Sequence, residues 1–460
     1  MKYIGVDLGS SFIKAVLMDL EQGQLVEQNK MATPEKDPHE NSNYFEISAK
    51  KIVEIVKHLV DGYTEKYSDI EGLIISTQMH GFVYSVPEKE DNYISWQDMR
   101  CMNKMPGKEK TYLQWMEEKI TPKDMEDHGV YLKPSLGICN LYTLLEENKE
   151  LRRDGKLYTL GSYVIYALTG ENVCHISNAA PLGLADVAHH CWNTKIINMF
   201  HLENVKLPRL AENDYEICGQ YNSNGYFLNV HPDYGDMQIA IAGSGICAGD
   251  VVVNVATGAQ VIRYDTEFKP GEYEIRPYLE GSYLYTISNM PSGRNLDVLI
   301  RFIKETVHKI AGGNISAQDV WKAVHEANLV SDEDLIVETS FYRNPFFSDG
   351  GAIRGITHAN LHLETIFYAA FRDMAETYWK FIQKLGADEK AIKRLVCAGG
   401  VNWKTPEIRQ MLSKISGKEC CLSPMVDEVL AGMYQISLLC SGKCGSLEEC
   451  RAFSLRDRGA

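Results

Sequence analysis

The chain has 460 residues, 45% apolar and 24% charged, ordinary proportions for a globular protein with room for two large domains or three average ones. Its 62 acidic residues outnumber 47 Lys and Arg, giving a net charge of −15. That balance argues against nucleic acid or an anionic membrane as partner, and no run approaches the roughly 18 apolar residues of a membrane span.

Residues 2–7 read as a strand, Leu8-Gly9-Ser10-Ser11 as a turn and residues 12–19 as a second strand. Asp7 and Gly9 interrupt the first apolar run, so no secretory leader is expected. At a hairpin tip, Gly9, Ser10 and Ser11 could bring backbone N–H groups and hydroxyls onto phosphate oxygens, with Asp7 beside them to orient magnesium. The same residues also suit a plain turn. Residues 48–66 carry Ile52, Ile55, Val56, Leu59 and Val60 at helical spacing, and residues 71–76 form a buried-type strand. That strand leads into Gln78-Met79-His80-Gly81, with Trp96-Gln97-Asp98-Met99-Arg100 close behind. Gln78, Met79, His80, Trp96 and Asp98 together make a candidate polyol site, with fixed donors and acceptors for hydroxyls and an aromatic face for C–H surface. His80 equally suits a structural histidine, and Asp98 with Arg100 a surface ion pair.

Residues 158–169 read as a helix closed by Gly170, followed by a polar loop to Trp192. Gly235-Asp236 then opens an apolar helical run over residues 237–246. Asp236 serves there as an N-cap, as a catalytic carboxylate, or as both. The helix N-terminus favours its ionised form, which could take a proton from a sugar hydroxyl attacking phosphorus.

Strands at residues 251–254 and 260–264 flank Ala256-Thr257-Gly258-Ala259, which echoes the first hairpin and predicts a duplicated protein. The expected division is an N-terminal domain over residues 1–246 and a C-terminal domain over residues 247–460. Polyphosphate could be clamped between the two tips, the second formed by Thr257 and Gly258. No Gly-Lys-Ser/Thr of a P-loop occurs. Apolar residues at helical spacing from Leu363 to Leu385 predict the clearest helix, closed by Gly386. Residues 394–398 follow as a strand, then Gly399-Gly400 as a tight turn against which adenine and ribose could lie. Thr405-Pro406 is a helix start with Thr405 as N-cap. The twelve cysteines are scattered, the pair Cys420–Cys421 and the trio Cys440, Cys444 and Cys450 lack a flanking histidine, and the set predicts reduced structural thiols in a cytoplasmic protein, with Cys247, Cys397 and Cys440 in apolar surroundings.

Taken in order, IGVDLGSS, YALTGENVCHISNAAPLGLAD, YGDMQIAIAGSGICAGD, VNVATGAQV and LVCAGGVN resemble the FGGY family of carbohydrate kinases over nearly the whole chain. The resemblance implies an α/β fold of two duplicated actin-like (ribonuclease-H-like) domains with a central cleft. It implies Asp236 as catalytic base, Asp7 as the residue that holds magnesium, and Gly9, Ser10, Ser11, Thr257 and Gly258 on the phosphates of ATP. Gly399, Gly400 and Asn402 would line the nucleoside site. STQMHG and SWQDMRC look like the ketose-kinase branch, and RPYLEGSYL looks closer to sedoheptulokinases than to xylulokinases. The chain departs from the family at Pro232-Asp233-Tyr234-Gly235, where a Gly-rich run is usual, at the ATGA tip and at Met99. The expected partners are ATP with Mg2+ and a small sugar, best sedoheptulose or xylulose, with no nucleic acid and no membrane, in a monomer or homodimer. The alternatives are a kinase of another polyol or sugar acid, and a non-catalytic actin-like sugar or nucleotide sensor.

Overall fold

The computed structural model describes residues 1–453 apart from Arg153, Pro345 and Ala387, so residues 454–460 of the expected C-terminal domain lie outside the described residues. The strands Lys2–Leu8, Phe12–Asp19 and Gln24–Ala32 form an antiparallel meander. Lys2–Leu8 then pairs in parallel with Ile70–Thr77, which pairs in parallel with Tyr226–Gly235. Farther along, Asp250–Val255, Ala259–Asp265 and Tyr283–Met290 make a second antiparallel meander. Its first strand pairs in parallel with Arg394–Ala398, and that strand with Glu419–Leu422. The same five-strand order thus occurs twice, each time with one added edge strand, Gly219–Ser223 in the first sheet and Glu274–Pro277 in the second. This is the duplicated α/β architecture expected from the two hairpins.

The central strands are apolar because helices cover both faces. Helix Ala49–Thr64 buries Ile52, Val56 and Val60 under the first sheet. Helix Leu363–Lys384 buries Phe367, Phe371, Met374 and Tyr378 under the second. The halves meet where helix Asp236–Gly243 crosses helix Glu428–Cys440. A Cβ on Gly243 would lie 1.9 Å from the carbonyl of Glu428, and one on Gly432 would lie 1.9 Å from that of Ile239. Only glycine allows this backbone-to-backbone crossing. Both halves contribute to the core around it, so the helix that begins at Asp236 is anchored on each side.

Several local expectations change. Residues 156–159 are a strand and the helix begins at Leu160, because Thr159 and Ser162 form a capping box. The polar stretch beyond Gly170 is not a surface loop. His175, Ser177 and Asn178 are buried around the short helix Ile176–Ala179, each satisfied by hydrogen bonds. The run from Asp236 ends at Gly243 rather than Ile246, as Gly245 turns left-handed at φ 69°. Thr405 makes no side-chain cap, because helix Gly400–Lys404 runs into it and its N–H is taken by Val401 O. Cys247 is not in apolar surroundings, since Arg394 and Arg451 both reach its sulfur. Among the described residues no helix is long and apolar enough to cross a membrane.

Candidate active site

Strand register brings the carboxylates together. Asp7 lies opposite Ser76, Ser76 opposite Tyr234 and Thr77 opposite Gly235, in three parallel strands. Asp7 and Asp236 therefore emerge at the carboxyl ends of the two strands that flank Ile70–Thr77, the edge at which open α/β sheets bind ligands. Ser76 Oγ donates to Asp7 Oδ1 at 3.0 Å. Gly235 is the N-cap, so Asp236 is the first helical residue rather than the cap, and its Oδ1 accepts the Met237 N–H at 2.7 Å. The sequence expectation of a carboxylate ionised by the helix end also needs correction. Burial pushes the Asp236 carboxyl up to about 7 and the charge of Asp7 adds to this, while the Met237 N–H and Arg276 oppose it. Desolvation outweighs the helix dipole here. Asp7 is likewise raised by burial, against Ser76 and Lys14, with Asp427 pushing it further up.

The Gln78–His80 loop packs against this edge. Gln78 N–H donates to Leu8 O at 3.3 Å, and Met79 Sδ would lie 2.6 Å from a Cβ placed on Gly235. His80 is held at φ 72°, in the left-handed region that costs a non-glycine residue strain. Burial first, then Lys133 and Arg276, push its pKa well below the usual range against Glu274, so its imidazole is neutral. Its Nδ1 is buried and unpartnered among the described residues, as are Gln238 Oε1 and Arg276 Nε, and the buried Tyr93 hydroxyl lies close enough to feel the charge of Asp236. Arg276 also pairs with Glu274 at 2.6 Å, and Glu274 with Lys133. Lys133, Tyr93, Gln238, Glu274 and Arg276 were missed from sequence, because no local motif marks them and they converge only through the meeting of the two halves.

Trp96 is 39% exposed, which leaves an aromatic face free. Asp98 differs from both sequence expectations. It has no exposed surface, and its carboxylate accepts Arg100 Nε at 2.9 Å, Arg100 Nη2 at 2.8 Å and the Phe45 N–H at 2.7 Å. Arg100 also reaches Glu46. This is a buried ionic cluster rather than a surface pair, and it leaves no Asp98 oxygen for a ligand.

Ser10 and Ser11 are exposed at the first hairpin tip, and Thr257 and Gly258 at the second. A Cβ on Gly9 would lie 2.8 Å from Phe12 O, so the tip closes tightly on glycine, whereas Gly258 faces open space. A cavity of about 680 Å³ opens beside the second tip, lined by Thr257, Arg294, Trp321, His325, Val401 and Lys404 among others. Trp321 and His325 stack at 5.6 Å. Gly399 has φ 83°, and a Cβ there would meet Asn254 Oδ1 at 2.4 Å, which requires glycine. Asn402 does not face the cavity. Its amide donates to Val253 O at 2.8 Å and Ala398 O at 2.7 Å, tying two strand ends together. No three metal-ligating side chains converge among the described residues. Asp7 nonetheless raises the proton affinity of Asp236, and a hard divalent cation that takes one or two carboxylates and completes its shell with phosphate oxygens fits this donor set.

With this geometry established, comparison with known proteins gives the class. Residues 2–246 match the description "FGGY family of carbohydrate kinases, N-terminal domain". The chain belongs to the FGGY family of carbohydrate kinases. It is 24% identical over 447 residues to the xylulose kinase of Lactococcus lactis subsp. lactis, spanning 91% of this chain and 84% of that protein. A match to the xylulose kinase of Staphylococcus xylosus is 25% identical over 276 residues, 53% of this chain and half the length of that relative. The ligand-bound xylulose kinase from Lactobacillus acidophilus shares the fold with a TM-score of 0.79 at 18% identity, covering 98% of this chain and 92% of that one.

Proposed function

We propose that the chain is a cytoplasmic ATP-dependent ketose kinase that phosphorylates a terminal hydroxyl, with xylulose the foremost substrate and sedoheptulose the second. The observation that carries this is the set of buried, unpartnered polar atoms around Asp236: His80 Nδ1, Gln238 Oε1 and Arg276 Nε. Buried donors and acceptors are costly when unpaired, and a polyol supplies both kinds at once. The nature of the relatives, several of them xylulose kinases, favours xylulose over the sedoheptulose suggested by RPYLEGSYL. A sensor without chemistry is less well supported, since it has no use for a buried carboxylate with a pKa near 7.

In this reading the sugar lies against Gln78, Met79, His80 and the face of Trp96. Asp236 accepts the proton of the attacking hydroxyl as the new O–P bond forms and the bond to ADP breaks. Gly9, Ser10, Ser11, Thr257 and Gly258 hold the phosphates, and the cavity beside Gly399 and Gly400 takes the nucleoside. Asp7 would hold magnesium, which neutralises phosphate charge when bound. The contact of Lys133 and Gly129 with strand Glu274–Pro277 closes the cleft on the sugar side and excludes water.

A coupled ADP-release assay across ketoses, glycerol and sugar acids tests the proposal. ADP should form only with sugar and fastest with xylulose, while glycerol leaves site groups unpaired and turns over poorly. Equal ADP release without sugar would overturn it in favour of a nucleotide-driven module. His80→Ala is expected to weaken sugar use by about 1–3 kcal/mol in kcat/KM with the KM for ATP unchanged. Unaltered sugar kinetics in the folded variant would return His80 to a structural role.

A further inference from the structure

The carboxylate of Asp236 stands on a short turn whose backbone is held from an unexpected direction. The buried Gly235 N–H donates to Ser177 Oγ at 3.0 Å. Ser177 Oγ lies 2.7 Å from His175 Nδ1, and His175 Nε2 lies 2.8 Å from Asp214 Oδ1. The other oxygen of Asp214 accepts the N–H of Glu280, a residue of the C-terminal half.

The protons in this chain have fixed places. The Ser177 backbone N–H points at His175 Nδ1 at 3.2 Å, so Nδ1 is an acceptor and the ring proton sits on Nε2, facing Asp214. The Ser177 hydroxyl then donates to Nδ1 and keeps its lone pairs for Gly235. The supporting segment is itself clamped, since His175 N–H donates to Asp233 Oδ1 at 2.7 Å. Asp233 Oδ2 accepts from Thr159 at 2.6 Å and Asn178 at 3.0 Å. Although Asp, His and Ser stand in the order of a hydrolytic triad, Ser177 has no exposed surface, so it has no access to a substrate as a nucleophile.

We propose that Asp214, His175 and Ser177 are positioning residues: Gly235 N–H, the Ser177 hydroxyl and His175 Nε2–H donate in turn toward Asp214, which the Glu280 N–H of the C-terminal half anchors, and this fixes the Tyr234–Gly235 peptide just before Asp236. The proposal rests on the reading of Asp236 as the base, and it makes the base's aim depend on how the halves are seated. Such precision matters, because small misplacement of a reacting group is costly in rate.

Ser177→Ala, Asp214→Asn and the double variant test it, with Asp236→Asn measured alongside. Asp214→Asn presents an amide that can donate to His175 Nε2, which moves the ring proton to Nδ1 and reverses the chain. Each single variant is expected to lower kcat about tenfold with the KM for ATP held within about twofold. The double variant should be no slower than Ser177→Ala alone, since both cut the same chain. The Gly235 amide should exchange its hydrogen faster in both single variants. Near-normal kcat in folded Ser177→Ala, or losses that add in the double variant, would overturn the proposal. Asp214 is partly exposed, so its variant serves if Ser177→Ala fails to fold. If Asp236→Asn keeps full turnover, the base assignment fails separately, and Gly235 exchange alone decides the chain, with unchanged exchange refuting it.

Discussion

Asp236→Asn is expected to lower kcat by about 10²–10⁴-fold and, at the same time, to stabilise the folded chain above neutral pH. The loss of rate follows from removing the proton acceptor, because Asn keeps the shape and still accepts the Met237 N–H through its Oδ1. The gain in stability follows from linkage. The carboxyl rises from 3.8 in an unfolded chain to about 7 in the fold, so the folded state holds that proton more tightly. Stability on this account is greatest below about pH 4, falls as pH rises through 7 and stays low above it. Asn has no proton to lose. Its stability should therefore exceed that of the parent at pH 8 by at most about 4 kcal/mol, read as a higher melting temperature, with the gap closing toward pH 4. Melting curves at the two pH values, together with kcat, check both halves. A variant with normal turnover would remove Asp236 from the chemistry, and one without a pH-dependent gain would show that its carboxyl is not held protonated.

Asp98→Ala is expected to destabilise the chain by about 3–5 kcal/mol while leaving sugar affinity nearly unchanged in the protein that stays folded. Arg100 is 1% exposed and relies on Asp98 for two of its charged hydrogen bonds, with Glu46 as its other counter-charge and the Tyr44 ring beneath its guanidinium. Removing the aspartate leaves a guanidinium buried with one counter-charge where it had two, and strands the Phe45 N–H. Urea unfolding should show a lower midpoint with the slope preserved. If Asp98 touched sugar, the reverse would hold: a raised sugar KM at an unchanged midpoint.

Asp98 marks the boundary of what sequence reading can reach. Its neighbourhood in SWQDMRC carried the ketose-kinase resemblance, yet the residue is spent inside the protein. Asn402 repeats the lesson in LVCAGGVN, where the side chain ties two strands together instead of facing the cavity. Motifs record which residues occur together, and a residue that holds a loop in shape recurs with it as faithfully as one that touches ligand.

Other features were legible because they are local. Alternation and small-residue turns determined both hairpins, and apolar spacing determined the long helix that ends before Gly386 at φ 71°. The repeat of one hairpin type within one chain foretold two sheets of the same order. Asp236 stood out because it heads an apolar helical run, which sequence pattern marks. What the sequence by itself determined, then, was the α/β class and the duplication, set by short-range periodicity and turn chemistry, while its ordered motifs carried the family resemblance. Only the tertiary structure decided the protonation of Asp236, because desolvation depends on every atom around the carboxyl. Only it brought Arg276 and Lys133 to His80, and Asp214 to His175, since those contacts join segments that meet through packing and charge rather than through chain proximity.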